Sequence, residues 1–431
     1  MWIALLFSCS DPAPVVPPPK PVAERSKAKS PKRKPQAANE NRADTGEAEP
    51  GAGLWNRARK PMGLTEEIEQ LEAIGYTGGD EVASAKVGVT VHTEQAVPGL
   101  NFWVSGHAPE AFLMDMDGTV LHSWKKPFSE AFPSGQTYNN KHGAEFWRRA
   151  YMYPNGDLLG IYEGHGLVKL DRDSKVLWTY SGRTHHDLEV LEDGRIWVLA
   201  RKGGMIPRVN AQKPVLEDFA VLLSPQGEVL REISLLGALD ASGGKFILYN
   251  KKRRRGDIFH TNSLEVLDKR AEPYDPAFKP GNLLLSMRSL SAIMVLDPDK
   301  GEMVWWKQGD FKRQHDPKIL DNGHLMLFDN LGFGGNSAVR EYALKDFRQL
   351  WRYGNSSEHP FFSRFTGAAY RFQNGNTLIA ESGYGRVFEI NPQKQIVWEF
   401  HNPNRAGESG QFVAIIPDMV RYPLGYATFL D

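Results

Sequence analysis

Two segments of the chain, HHDLEVLEDGRIWVLAR (185–201) and QHDPKILDNGHLMLFDN (314–330), say the same thing in different residues. Each runs from a His-Asp pair through an alternating apolar stretch and an Asp/Asn-Gly turn into a second apolar stretch. His186 and His315 both stand eight residues before their turn glycines, Gly194 and Gly323. His260, in HTNSLEVLD, opens a third such stretch between them and is placed at the same point by pattern. Imidazole can act near neutral pH as a nucleophile or as a general acid or base. Three imidazoles brought together could also hold zinc with an open position. A lone histidine is more often a hydrogen-bond partner, and His107, His142, His165, His324, His359 and His401 are read that way. At the same repeat position two further units carry Arg148, eight residues before Gly156, and Gly367, eight before Gly375. A residue kept only for packing would not exchange so freely, so the position is read as a reactive or ligand-binding one. Arg148 is expected to hold an anionic group there, with Arg149 taking its place if the strand slips by one. Arginines at the site would repel a dication, so no metal is expected.

The elements that must position these residues repeat too. The unit is strand, turn, strand, a strand ending in Asp, turn, and a strand ending in Trp. It occurs as AYMYPNGDLLGIYEGHGLVKLDRDSKVLW (150–178) and from His186 through LSPQGEVLREISL. It recurs from His260 through VLDPDKGEMVWW, from His315 to LKDFRQLW, and from Gly367 to INPQKQIVW; a half-unit, FLMDMDGTVLHSW (112–124), precedes them all. The closing residues Trp124, Trp178, Trp305, Trp351 and Trp398 recur about every 50 residues, with one double interval, the period of propeller blades. Six units predict an all-β, six-bladed propeller over residues 85–431. A two-domain sandwich is the alternative, but it gives no reason for one phrase to return at one phase. In a propeller the first strand of every blade lines the central channel, so equivalent residues far apart in sequence meet there.

Composition narrows the function less. The 431 residues, 41% hydrophobic and 11% aromatic, can bury one large core or two ordinary ones. The net charge is zero and the pI about 7.2, which gives no electrostatic reason to expect nucleic acid. The single cysteine, Cys9, ends the apolar run MWIALLFSCS, and residues 1–9 read as a lipoprotein-type signal with Cys9 as the lipidated residue. Residues 10–60, with PAPVVPPPKP and a lysine/arginine cluster at 27–34, read as a disordered linker. Residues 61–84 hold a short helix, LTEEIEQLEAI (64–74), with apolar residues on one face. The expectation is an exported protein anchored by lipid to the bacterial cell envelope, on the outer membrane if the host has one.

Taken in order, GLNFWVSGHAPEAFLMDMDGTVLHSW, HHDLEVL, GDIFHTNSLEVLD, QHDPKILDNGHLMLFDN, FQNGNTLIAESGYGRVFEI and VRYPLGY resemble the bacterial arylsulfotransferase family over residues 85–425. The resemblance implies a six-bladed propeller that moves a sulfuryl group from an aryl sulfate to a phenol without a nucleotide donor or other cofactor. It assigns catalytic roles to His186, His260, Arg288 in LLLSMRSLSAIMVLD, and His315 as the histidine transiently sulfated. Arg148, His185 and Asn262 are the expected substrate contacts. The loop LEVLDKRAEPYDPAFKPGN before Arg288 is longer than the family pattern and leaves its register open, and a chain with one cysteine has no internal disulfide. The residues suit the chemistry by themselves: fixed cations stabilise charge on the transferring group, and a neutral imidazole can split the transfer into two steps. A non-catalytic propeller binding an anionic ligand or partner at the envelope is the alternative reading.

Overall fold

A computed structural model describes residues 86–135, 142–252, 254–354, 356–359, 361–406 and 412–431. Cys9, the signal, the linker and the helix at 64–74 lie outside the described residues. Among the described residues no helix is long and apolar enough to cross a membrane.

Six antiparallel sheets of four or five strands form the blades. The second strand of each blade is packed between neighbouring blades, so it reads as an unbroken buried run rather than an alternation, as in Leu158–Tyr162 and Leu325–Asp329. The outermost strands, such as Val120–Lys125, are largely exposed, with Trp124 buried. Blade 2 opens with the inner strand Trp147–Met152, blade 3 with Thr184–Val190, blade 4 with Thr261–Val266, blade 5 with His315–Ile319 and blade 6 with Ala368–Arg371. Blade 1 completes the half-unit at 112–124 from both sides. Leu100–Val104 precedes it, and the C-terminal strand Met419–Tyr422 supplies its inner strand. A second closure adds Gly88–His92 as a fifth strand outside blade 6, against Ile396–His401. The C-terminal strand thus completes the first blade, and Gly88–His92 extends the last.

The repeated tryptophans key one blade to the next. Trp124, Trp178 and Trp398 donate from their indole N–H to the carbonyls of Gly156 (2.9 Å), Pro225 (3.0 Å) and Met116 (2.8 Å) in the following blade. The double interval falls where blade 3 ends without tryptophan. There Ser234 caps the helix Leu235–Ala241, which packs with the segment through Tyr249 into the core between blades 3 and 4. The long loop of blade 4 forms a turn at Pro276–Phe278, and Phe278 packs edge-on against Trp305 at 4.9 Å. It lies at the opposite end of the strands from Arg288, whose register is fixed by the pairing of Met287 with Thr261.

The inner strands have no strand partner on the axial side, and carboxylates take its place. Asp187 and Glu189 of blade 3 accept the backbone N–H groups of Leu264 and Val266 in blade 4, at 2.9 and 2.7 Å. Glu265 of blade 4 accepts from Ile319 of blade 5 (2.9 Å), and Asp316 of blade 5 from Ala369 of blade 6 (3.3 Å). Burial pushes Glu189 up to about 7 and Glu265 up to about 8. A carboxylate raised in the folded state binds its proton more tightly there than in the unfolded chain. Its stabilising contribution is present below the usual carboxylate range and is lost as pH rises through 7 to 8. Buried histidines held below 6.5 act in the opposite direction, and stability falls as pH drops below that value. The melting temperature should therefore peak near neutrality. In Glu265→Gln, whose amide oxygen can still accept the Ile319 N–H, the fall between pH 6.5 and about pH 9 should be shallower than in wild type by thermal-shift measurement. An unchanged alkaline limb would contradict this account.

Candidate active site

Counting back from the first ladder pair of each blade, residues 148, 186, 262, 315 and 367 share one position, the fifth from the turn. His260 does not: Asn262 holds that position in blade 4, and the sequence pattern placed His260 two residues out of phase. The ladder bulges here in blades 2 to 5, which frees these side chains from strict alternation. His186 and His260 adopt left-handed backbone at φ 55° and 49°, as does Asp316 at 51°. Such strain costs on the order of 1–3 kcal/mol per residue and persists where the surroundings over-determine it. The bend swings the His260 ring to 4.8 Å from that of His186 despite the offset in phase.

A small, partly open cavity lies at this end of the channel. Arg148, His186, Asn262, His315 and Gly367 line it, joined by Arg149, Asp187, Asp316, Thr366, Ala368 and Pro417. Gly367 carries no side chain because a Cβ there would meet the Phe328 ring at 2.5 Å. Arg149 is committed to Asp187 (3.0 Å) and Asp418 (2.7 Å), tying blade 2 to blade 3 and to the C-terminal strand, where Tyr370 also donates to Asp418 at 2.8 Å. Arg148 lies 3.7 Å from Glu163, a carboxylate it shares with Arg201. His185 is buried and is not among the lining residues. Its Nδ1 lies 2.9 Å from Nδ1 of His186, and its Nε2 faces Asp218 at 3.6 Å.

His315 is held for use. Its Nδ1 lies 2.6 Å from Asn330 Oδ1 and 3.0 Å from the Arg313 carbonyl. Both partners only accept, because Asn330 spends its Nδ2 on the carbonyls of Ser363 and Thr366. Nδ1 therefore carries the proton and Nε2 keeps its lone pair. Burial, with Arg288 and Arg148 nearby, holds His315 well below 6.5, so the ring is neutral at pH 7. Burial and Arg148 do the same to His186. His260 is lowered by burial, but its Nδ1 meets Asp257 Oδ2 at 2.7 Å and that carboxylate opposes the shift. Asn262 donates to the Gln314 carbonyl at 2.8 Å, leaving its amide oxygen buried without a hydrogen-bond partner among the described residues.

The sequence reading missed Asn330, Glu163, Asp218 and Asp257. Asn330 is the last residue of the QHD segment, Asp257 stands three before His260 and Glu163 falls in the quoted repeat at 150–178, so all three lay in quoted stretches; Asp218 has no local signal. Glu163, His185 and His186 present ligand atoms within 4.8 Å of one another. Arg201 at 3.4 Å and Arg148 at 3.7 Å already neutralise that carboxylate, and their charge opposes a dication.

Two guanidinium-bearing residues thus bring positive charge to a neutral, oriented imidazole at the cavity. The sequence model of the arylsulfotransferase (ASST) family matches residues 150–403. The chain belongs to the arylsulfotransferase family. No curated protein matches this chain in sequence. Among solved structures, a protein of unknown function from Bacteroides caccae aligns at 15% identity and TM-score 0.51. That alignment covers 75% of this chain and 98% of the other, and is a likeness of fold. A streptogramin B lyase aligns at 11% identity and TM-score 0.43, over 80% of this chain and 98% of its own. Virginiamycin B lyase from Staphylococcus aureus aligns at 9% and 0.40, over 79% and 98%.

Removing the Asn330 oxygen should release the His315 ring. Asn330→Leu is expected to lower kcat for an aryl sulfate on the order of 100-fold, the lower end of the range for one positioned catalytic group. Asn330→Asp, which keeps the acceptor, should recover part of the loss. Equal activity in Asn330→Leu and wild type would show that the ring needs no such anchor.

Proposed function

We propose that this arylsulfotransferase moves a sulfuryl group from an aryl sulfate to a phenolic acceptor in two steps, with His315 as the group sulfated between them. The observation that carries the reading is the Nδ1–H of His315 fixed on Asn330 and the Arg313 carbonyl, with Nε2 left as a nucleophile. Arg148 and Arg288, whose charges act on His315, are suited to the sulfate oxygens as negative charge shifts during transfer. His260, whose Nδ1 meets Asp257, is assigned to give a proton to the departing phenolate and take one from the incoming phenol. His186, with its ring against His260, is assigned to orient the group in flight. Asn262, with its unpaired amide oxygen, is assigned to the acceptor hydroxyl. His185, beneath His186, acts from behind the cavity rather than on the substrate. Lipidation of Cys9 and anchoring to the cell envelope are proposed from the sequence, and Cys9→Ala should leave the membrane fraction.

Purified protein given 4-nitrophenyl sulfate should gain the mass of one sulfuryl group, and peptide mapping should place it on His315. His315→Ala should lose turnover and label together. His186→Ala and His260→Ala should slow transfer yet retain some label. Arg148→Ala should lower kcat/KM by about 10- to 150-fold, the equivalent of a charge-assisted contact of about 1.5–3 kcal/mol. Because His315 is held below 6.5, kcat/KM should persist as pH is lowered through that value. Transfer without a covalent adduct would overturn the two-step reading, and an adduct on His186 or His260 would move the nucleophile.

A further inference from the structure

The cavity carries a second repeated feature that the transfer steps leave without a task. In a regular strand neighbouring side chains point to opposite faces. Both members of each His-Asp pair, His186–Asp187 and His315–Asp316, nevertheless line the cavity. A left-handed residue in each pair, His186 at φ 55° and Asp316 at 51°, breaks the alternation where the ladder bulges. The two carboxylates are then used alike. Oδ2 of Asp187 accepts the Leu264 N–H at 2.9 Å, and its Oδ1 faces Arg149 Nε at 3.0 Å. Oδ2 of Asp316 accepts the Ala369 N–H at 3.3 Å, and its Oδ1 faces Lys318 Nζ at 3.1 Å.

Binding the next blade accounts for an acceptor oxygen in these places but not for a charge. One residue past the shared channel position, blade 4 carries Ser263 and blade 6 Ala368, so the fold does not require a carboxylate there. Among the described residues, the charged side chains lining the cavity are Arg148, Arg149, Asp187 and Asp316, two of each sign. Arg149 is held between Asp187 and Asp418, and Lys318 by Asp316. The positive charge that reaches His315 comes from Arg288 and Arg148.

We propose that Asp187 and Asp316 restrict this cavity to ligands with a single negative charge, admitting a sulfate ester and refusing the doubly charged phosphate ester of the same phenol. The proposal deepens the sulfotransfer reading and rests on it for the choice of ester. The two esters share a tetrahedral group with three terminal oxygens, so shape separates them poorly. Cations and hydrogen-bond donors by themselves favour the phosphate, which offers them more charge. Discrimination therefore needs a group that repels the extra charge. The first negative charge is drawn to Arg148 and Arg288. A second would lie against two carboxylates that already have their cations, in a buried place where water screens little. Asp187 and Asp316 thus determine specificity without taking part in bond making.

The test uses two ligands that cannot be transferred, because carbon replaces the ester oxygen. Benzylsulfonate is singly charged throughout, whereas benzylphosphonate is mainly singly charged at pH 6 and doubly charged at pH 8.5. Titration calorimetry on the wild-type protein should give similar Kd values for the two at pH 6. At pH 8.5 the phosphonate should bind about tenfold or more weakly than the sulfonate, the scale of one like-charge interaction across a few ångströms of protein. The sulfonate at each pH corrects for titration of the protein itself. Asp316→Asn keeps an oxygen for the Ala369 N–H and a residue type that tolerates left-handed backbone, so the main loss is the charge. It should narrow the gap at pH 8.5 by about tenfold. Asp187→Asn should do the same, and decides the matter if Asp316→Asn does not fold. Equal binding of the two ligands by wild type at pH 8.5, or a gap that neither substitution narrows, would overturn the proposal. Because both ligands are inert, the result is independent of the sulfohistidine: a missing adduct with 4-nitrophenyl sulfate refutes that intermediate, whereas an unchanged gap refutes only the charge selection.

Discussion

An inner strand of a propeller has a sheet neighbour on one side only, and the N–H groups on its other side face the axis with no strand to accept them. Leaving such groups buried and unpaired is costly, and a sixfold channel multiplies the cost. This chain meets the constraint with carboxylates: Asp187, Glu189, Glu265 and Asp316 each reach from one blade to a backbone N–H of the next. Glu163 lies 3.4 Å from the His186 N–H, and Asp218 accepts that of Thr261, in the same forward direction. The device fixes the inner strands against one another, and it fills the axis with ionisable groups.

Those groups then have to be neutralised, and the way they are neutralised shapes the site. Arg149 serves Asp187 and Asp418, and Lys318 sits 3.1 Å from Asp316. Along the axis, charge is matched locally. At the mouth the balance changes: Arg148 and Arg288 press on histidines that burial keeps neutral, so the imidazoles keep lone pairs beside positive charge. A neutral imidazole flanked by cations suits an anion, because attraction for the anion does not require protonating the ring nitrogen. The strained backbone at His186 and His260 belongs to the same economy of space. Blades as close as these leave room for a ring at the axis only if the strand bends to present it.

What could be read from the chain alone was whatever recurs. The tryptophans recur because each closes a blade against the next, the turn glycines because the inner hairpins are equivalent, and the channel position because rotation about one axis makes equivalent residues neighbours. That repetition determined the blade count, and it put Arg148, His186 and His315 in one cavity. It failed where an element was not a copy: His260 stands two residues out of phase, and the inner strand of blade 1 comes from the far end of the chain at Met419–Tyr422.

Tertiary structure alone decided which partner each reactive group has. Asn330 lies 15 residues from His315, Asp218 lies 43 from Thr261, and Glu163 comes from the blade before His186. Arg148 and Arg149 are adjacent in sequence and alike in chemistry, yet one is shared with Glu163 at the cavity while the other is locked between two aspartates. Repetition in a sequence fixes where side chains meet, because that follows from the period. The protonation state of a buried group follows instead from the charges and hydrogen bonds within a few ångströms, and those are contributed by whichever segments the fold brings there.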